Sequence, residues 1–181
     1  MDLRALLREI YDFPKEGIVF LDITPLLGDG RAFHHAVDMM AARFADACPT
    51  KIVAAEARGF IFGAALAYKM RIGFVPVRKP GKLPHKTQSV TYDLEYGTDT
   101  LCMHEDAILH GEKVLVVDDL LATGGTLKGV LKLVESFGAE IAGVGVLVEL
   151  DFLNGKDQLN GYTVQSVVHV GTPEPKPSCA P

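Results

Sequence analysis

Residues Val114 to Thr126 read VLVVDDLLATGGT. Four apolar residues run into two adjacent carboxylates, Asp118 and Asp119. The chain then turns through Ala122, Thr123, Gly124, Gly125 and Thr126. An apolar run without period-two alternation suits a strand buried on both faces. Two carboxylates are too costly to bury without partners, so Asp118 and Asp119 are expected to end the strand, where a ligand can reach them. The glycines let the main chain take unusual conformations and approach a ligand closely. A helix is predicted from Thr126 to Phe137, with Leu127, Val130, Leu131, Val134 and Phe137 aligned on one face. Its first N–H groups lack partners and carry partial positive charge. With the Thr123 and Thr126 hydroxyls they make a seat for one phosphate. The loop lacks the lysine of a GxxxxGK[ST] motif and suits a monophosphate better than a triphosphate. Ionised Asp only accepts hydrogen bonds, and sugar hydroxyls donate them. A phosphate on the loop and a diol on the acids together describe a ribose 5-phosphate.

Working outward, apolar strands alternate with helical patterns. Lys51–Ala55, Gly73–Val77, Ile141–Leu150 and Tyr162–Val170 read as further strands, with Pro76 demoting its strand or placing it near an end. Arg31–Ala47 and Phe60–Met70 read as helices. The first residues, MDLRALLREIYDF, carry Leu3, Leu6, Leu7 and Ile10 at helical spacing and predict an amphipathic helix. Residues 78–103 are polar, basic at the start and broken by Pro and Gly, with a later part that alternates as a hairpin does. The fold class is therefore α/β, with a mostly parallel central sheet flanked by helices. Such sheets bind ligands beyond the carboxyl ends of their strands. Residues 1–171 are expected to form one domain. The tail from 172 to 181 is Pro-rich and expected to be disordered.

The bulk composition fits this. The chain has 181 residues, 48% hydrophobic and 23% charged, enough for a buried core. A net charge of −5 argues against a general electrostatic grip on nucleic acid. No apolar run reaches the roughly 18 residues of a membrane span, and no signal peptide is expected. Cys48, Cys102 and Cys179 are widely spaced, outside any CxxC or Cys/His cluster, so reduced thiols in a cytoplasmic protein are expected.

VLVVDDLLATGGT resembles the phosphoribosyl diphosphate (PRPP) motif of type I phosphoribosyltransferases, and its LLATGGT ending is most similar to their adenine-specific branch. FPKEGIVFLDITPLL, EARGFIFGAALA, RKPGKLP and YDLEYGTDTL resemble segments of the same branch, in the same order, across roughly residues 3 to 170. The resemblance implies a type I phosphoribosyltransferase fold with a small N-terminal hood, formed mainly by about residues 1–30, and a hairpin lid. It implies transfer of the 5-phosphoribosyl group of PRPP to N9 of adenine, giving AMP and pyrophosphate, in purine salvage. Mg²⁺ is the implied cofactor, held mainly by substrate pyrophosphate and water rather than by a protein cage. A homodimer is implied too, in which one chain's basic loop completes its neighbour's site.

The resemblance also assigns residues. Arg58, in a turn entering a helix, and Arg78, Lys79 and Lys82 match the positions that hold pyrophosphate. On charge alone the last three read instead as a solvated basic loop. Glu95 matches the lid acid that manages the purine proton, although alone it reads as an exposed hairpin residue. Tyr96 matches a residue that orders the closed lid. Val19, Phe20 and Leu21 match the base-contacting segment, with Phe20 stacking on the ring; core packing is the alternative for Phe20. Leu150 is the expected apolar wall opposite. The family often has arginine where this chain has Leu21. A site for an oxopurine would want a cation near the 6-oxygen, and none is evident around Phe20 or Leu150. The alternatives are a phosphoribosyltransferase for another purine and a non-catalytic PRPP-binding regulator.

Overall fold

A computed structural model describes residues 1–93 and 97–173. Five parallel strands form the central sheet: β3 (Lys51–Ala55), β4 (Gly73–Val77), β7 (Lys113–Leu121), β8 (Glu140–Leu150) and β9 (Val164–Val170). Their order is β4-β3-β7-β8-β9. Two antiparallel hairpins lie outside it, β1 (Arg8–Tyr11) with β2 (Val19–Asp22), and β5 (Thr87–Asp93) with β6 (Thr98–His104). The helices are α1 (Thr24–Gly28), α2 (Gly30–Arg43), α3 (Gly59–Met70) and α4 (Gly125–Glu135).

The apolar strands build this sheet because both of their faces are covered. Ile52, Leu115 and Val117 pack into a cluster with residues of α2 and α3. Val53, Val114 and Val116 pack into a second cluster with α4 and the β5–β6 hairpin. Pro76, which cannot donate to a ladder, sits on β4, which is an edge strand of the described sheet and pairs with β3.

Two expectations are corrected. The N-terminal residues form only a short 3₁₀ turn, Arg4–Leu6, and then β1. Leu3 and Leu7 are buried as their spacing suggests, but Arg8–Tyr11 pairs with Val19–Asp22 in register Arg8↔Asp22 to Tyr11↔Val19. Long-range pairing, invisible to a local pattern, overrides helical spacing. Asp118 and Asp119 also do not end their strand, because β7 runs on to Leu121. Its pairing with β3 stops at Val117, while pairing with β8 continues through Asp118 and Leu120 to Leu121. One side of β7 thus satisfies the main chain while the other stands open. The α4 helix starts one residue earlier than predicted, at Gly125, and ends at Glu135.

The strand order reverses direction between β3 and β7. From β3 the chain moves outward to β4, and from β7 it moves the other way to β8 and β9. This is the topological switch point where open α/β sheets hold their ligands.

Candidate active site

The gap where β3 leaves β7 is a cavity of about 430 Å³ lined by Glu56, Arg58, Asp118, Asp119 and the 122–126 loop. The turn after β3 carries a cis peptide between Glu56 and Ala57 and then enters α3 at Gly59. A Cβ at Gly59 would lie 2.6 Å from Asp118 Oδ1, so only glycine lets α3 come this close to the carboxylate. Asp118 Oδ1 accepts the Asp119 N–H at 2.9 Å. Arg58 Nε lies 2.9 Å from Asp119 Oδ2. That buried oxygen has no aligned hydrogen-bond donor, so it is paired by charge but still has accepting capacity. Burial and the adjacent Asp119 charge push the Asp118 carboxyl well above its usual range. Burial also raises that of Asp119, against the pull of Arg58. Donors arriving from a ligand would stabilise the ionised pair.

Gly124, at φ +87°, precedes α4, and no side chain caps the helix. The first N–H groups of α4 are therefore left to a ligand, and an anion suits them. All seven residues expected to grip the ribose 5-phosphate, Asp118, Asp119, Ala122, Thr123, Gly124, Gly125 and Thr126, line this one cavity.

A second cavity, about 610 Å³, adjoins it and is mainly apolar. Val19, Phe20, Leu21 and Leu150, the four expected base contacts, all line it, joined by Phe152 and Leu153. Phe20 is only half-buried and meets Phe13 edge-on at 5.2 Å between ring centroids. The Arg58 guanidinium stands 5.3 Å from the Phe20 ring centroid. The expectation that no cation lies near Phe20 is thus corrected: Arg58, 38 residues away in sequence, reaches it through the fold. Arg58, Leu120 and Ala122 line both cavities.

The basic loop is arranged around an acid that sequence reasoning passed over. Glu56 binds Arg78 Nη2 at 3.0 Å and Lys82 Nζ at 3.1 Å, and its other oxygen accepts the Lys79 N–H at 2.6 Å. Burial works against its charge, but these donors outweigh it and hold the carboxyl down to about 2. Lys79 Nζ binds Asp99 at 3.0 Å. Arg78, Lys79 and Lys82 are therefore gathered through Glu56 beside the cavity that Glu56 itself lines, and of the four expected cations Arg58 is the one in its wall. Tyr92, buried near the turn end of the β5–β6 hairpin, packs its ring against Gly129 of α4 and turns its hydroxyl towards Thr126 and Asp99. No fixed spacing signals Glu56, Tyr92 or Asp99, since each acts through a residue far along the chain. Glu95 and Tyr96 lie outside the described residues.

Comparison with known proteins agrees with this geometry. Residues 27–171 match the phosphoribosyl transferase domain family. The chain is 71% identical over 170 residues to an adenine phosphoribosyltransferase of Solidesulfovibrio magneticus, covering 94% of this chain and 99% of that one. Its fold superposes on adenine phosphoribosyltransferase from Thermoanaerobacter pseudethanolicus with a TM-score of 0.91, at 51% identity, over 93% of this chain and 98% of that one. The Saccharomyces cerevisiae enzyme, solved with adenine and D-2,5-dideoxy-2,5-imino-altritol 1,6-bisphosphate, gives 0.86 at 38% identity, over 92% and 96%. A phosphate-ready helix start, a carboxylate pair and an adjoining apolar cavity thus occur in a chain that belongs to the phosphoribosyl transferase family, on its adenine phosphoribosyltransferase branch.

Proposed function

We propose that this protein transfers the 5-phosphoribosyl group of PRPP to N9 of adenine, forming AMP and releasing pyrophosphate, as a step of cytoplasmic purine salvage. The observation that carries this is the joining of the two cavities through Arg58, Leu120 and Ala122. One is built for a sugar phosphate and the other for a flat apolar ring, so the anomeric carbon falls where they meet. The 122–126 loop holds the 5-phosphate, and Asp118 and Asp119 accept the ribose hydroxyls. Val19, Phe20, Leu21 and Leu150 enclose the base.

In the reaction the bond from C1 to pyrophosphate oxygen breaks and the bond from C1 to N9 forms. The proton leaving N9 is assigned to Glu95. Arg58, with Arg78, Lys79 and Lys82, receives the pyrophosphate charge, which favours its departure. In the proposed homodimer the last three serve partly across the interface. Mg²⁺ fits a site with accepting capacity left on Asp119: Asp118 and Asp119 would receive its waters, and the ion would neutralise leaving-group charge. The hairpin lid that follows Lys82, ordered by Tyr96 when closed, would exclude water from a carbon bearing positive charge. Residues 1–171 serve as one domain. No helix among the described residues is long and apolar enough to cross a membrane.

One observation keeps a second reading in play. Arg58 beside Phe20 is a cation that an oxopurine could use, although Asp119 already engages it. Purified protein with PRPP, Mg²⁺ and each of adenine, hypoxanthine, guanine, xanthine and orotate tests both. AMP as the only nucleotide is the expected result. IMP or GMP would transfer the assignment to an oxopurine enzyme, and PRPP binding without any product would make the chain a regulator.

A further inference from the structure

Beyond the residues that touch substrate, the segment following β8 carries an internal clamp. Glu149, the penultimate residue of that strand, is buried at 5% exposure. Its carboxylate accepts the Ser166 hydroxyl from β9 and lies 2.8 Å from Lys156 Nζ. His169 Nδ1 stands 3.8 Å away and also meets Asp151 at 2.9 Å. Glu149, Asp151 and His169 bring oxygen and nitrogen atoms within 4.8 Å of one another, but the Lys156 ammonium supplies the positive charge there. A buried carboxylate of this kind demands a partner, so Lys156 is pinned.

Pinning Lys156 fixes the turn on which it sits. Residues 151–159 fold as two 3₁₀ segments, Asp151–Leu153 and Gly155–Leu159, joined at Asn154 in a left-handed conformation, φ +50°. Short 3₁₀ pieces hold themselves weakly. The first segment presents Phe152 and Leu153 to the base cavity, and both remain more than a third exposed, so little core packing holds them. The second abuts the phosphate loop with no room between. A Cβ at Gly155 would lie 2.1 Å from the Ala122 carbonyl oxygen, and one at Gly124 would lie 2.5 Å from the Gly155 carbonyl oxygen. Lys128 of α4 adds a bond to Gln158 at 3.0 Å. Backbone contact therefore fixes Gly155 against the phosphate loop, and the stretch between Leu150 and Gly155 that carries Phe152 and Leu153 is tied down by Asp151 to His169 at one end and by Lys156 to Glu149 at the other.

We propose that Lys156 is a positioning residue for base recognition: bound to buried Glu149, it holds the Asp151–Leu159 turn so that Phe152 and Leu153 close the base cavity. This rests on the reading of that cavity as the adenine site. The test compares full-length wild type with Lys156→Met and Lys156→Arg, measuring kcat and both KM values. Misplacement of a contact wall by a fraction of an ångström is expected to raise the adenine KM of Lys156→Met about ten-fold, with the PRPP KM within about two-fold of wild type. Lys156→Arg, which keeps the ion pair, restores most of the loss. An adenine KM unchanged in a folded Lys156→Met, or a rise equal for both substrates, overturns the proposal. If Lys156→Met does not fold, Glu149→Gln is judged by the same split. Wild type that makes no AMP would instead overturn the adenine-site reading itself, so the two failures are separable.

Discussion

The two cavities that meet at Arg58 are built in different ways. The cavity proposed for the phosphoribosyl group is largely one contiguous stretch, 118–126, and the seat proposed for its phosphate is main chain. The base cavity is assembled from segments around residues 11–21, 58, 120–122, 150–153 and 172–173, and its working surface is side chain. A contiguous, main-chain site is insensitive to what lies elsewhere in the sequence but intolerant of any change in its own glycines and acids. An assembled side-chain site should be graded in its response. It should also be separable from its neighbour.

The double variant Asp118→Asn, Asp119→Asn should show the largest effect. Losing two charged acceptors, at about 1.5–3 kcal/mol each, should weaken PRPP binding by about 100-fold or more. Titration calorimetry with PRPP would check this, and circular dichroism would confirm an intact fold. Unaltered affinity would remove the acids from the ribose. Next in size is Gly124→Ala. The residue's φ of +87° and the Gly155 carbonyl 2.5 Å from the new Cβ should together cost about 2–4 kcal/mol, seen as a lower Tm and a raised PRPP KM. A neutral result would mean that the loop relaxes freely and is not a rigid seat.

Phe20→Ala should act on the other cavity. Loss of a stacking ring, worth about 1–3 kcal/mol per base, should raise the adenine KM about ten-fold and leave PRPP affinity alone. If both constants move together, the cavities are not separable and the contrast fails.

The smallest effect concerns Glu56. Its folded carboxyl is held down to about 2 from an ordinary 4.5. A depressed acid contributes stability that is full above the unfolded value and is lost as pH falls through the folded one. The Tm difference between wild type and Glu56→Gln should therefore be constant above about pH 5 and shrink between 4.5 and about 2. Scanning calorimetry across that range would check it. A pH-independent difference would mean that the cation cluster is held by something other than this acid.

The same contrast accounts for what the sequence could show. Local signals carried well: the Val114–Val117 run, the paired acids, the glycine turn and the α4 face are all neighbours along the chain. The parallel sheet followed from apolar runs that need cover on both sides. Signals that depend on distant pairing did not carry. Leu3 and Leu7 are spaced as on a helix, yet the segment after them becomes β1, because Val19–Asp22 supplies its hydrogen bonds. The strand through Asp118 and Asp119 continues because β8 pairs with it there. Arg58 beside Phe20 and Glu56 beneath the basic loop are side-chain meetings across 20 to 40 residues, and no spacing rule encodes them. Lys156 reads as one more surface charge until Glu149 is seen buried opposite.

Because only Arg58, Leu120 and Ala122 border both cavities among the described residues, the preference for a nucleobase can drift while the sugar-phosphate grip stays fixed. Substitutions at positions 18–21 or 150–153 change the walls of the apolar cavity and leave 122–126 untouched. A lineage could thus try new bases on an unchanged donor by changing only these two segments. Arg58 is the constraint on that freedom, since replacing it to suit a different ring would also uncover Asp119.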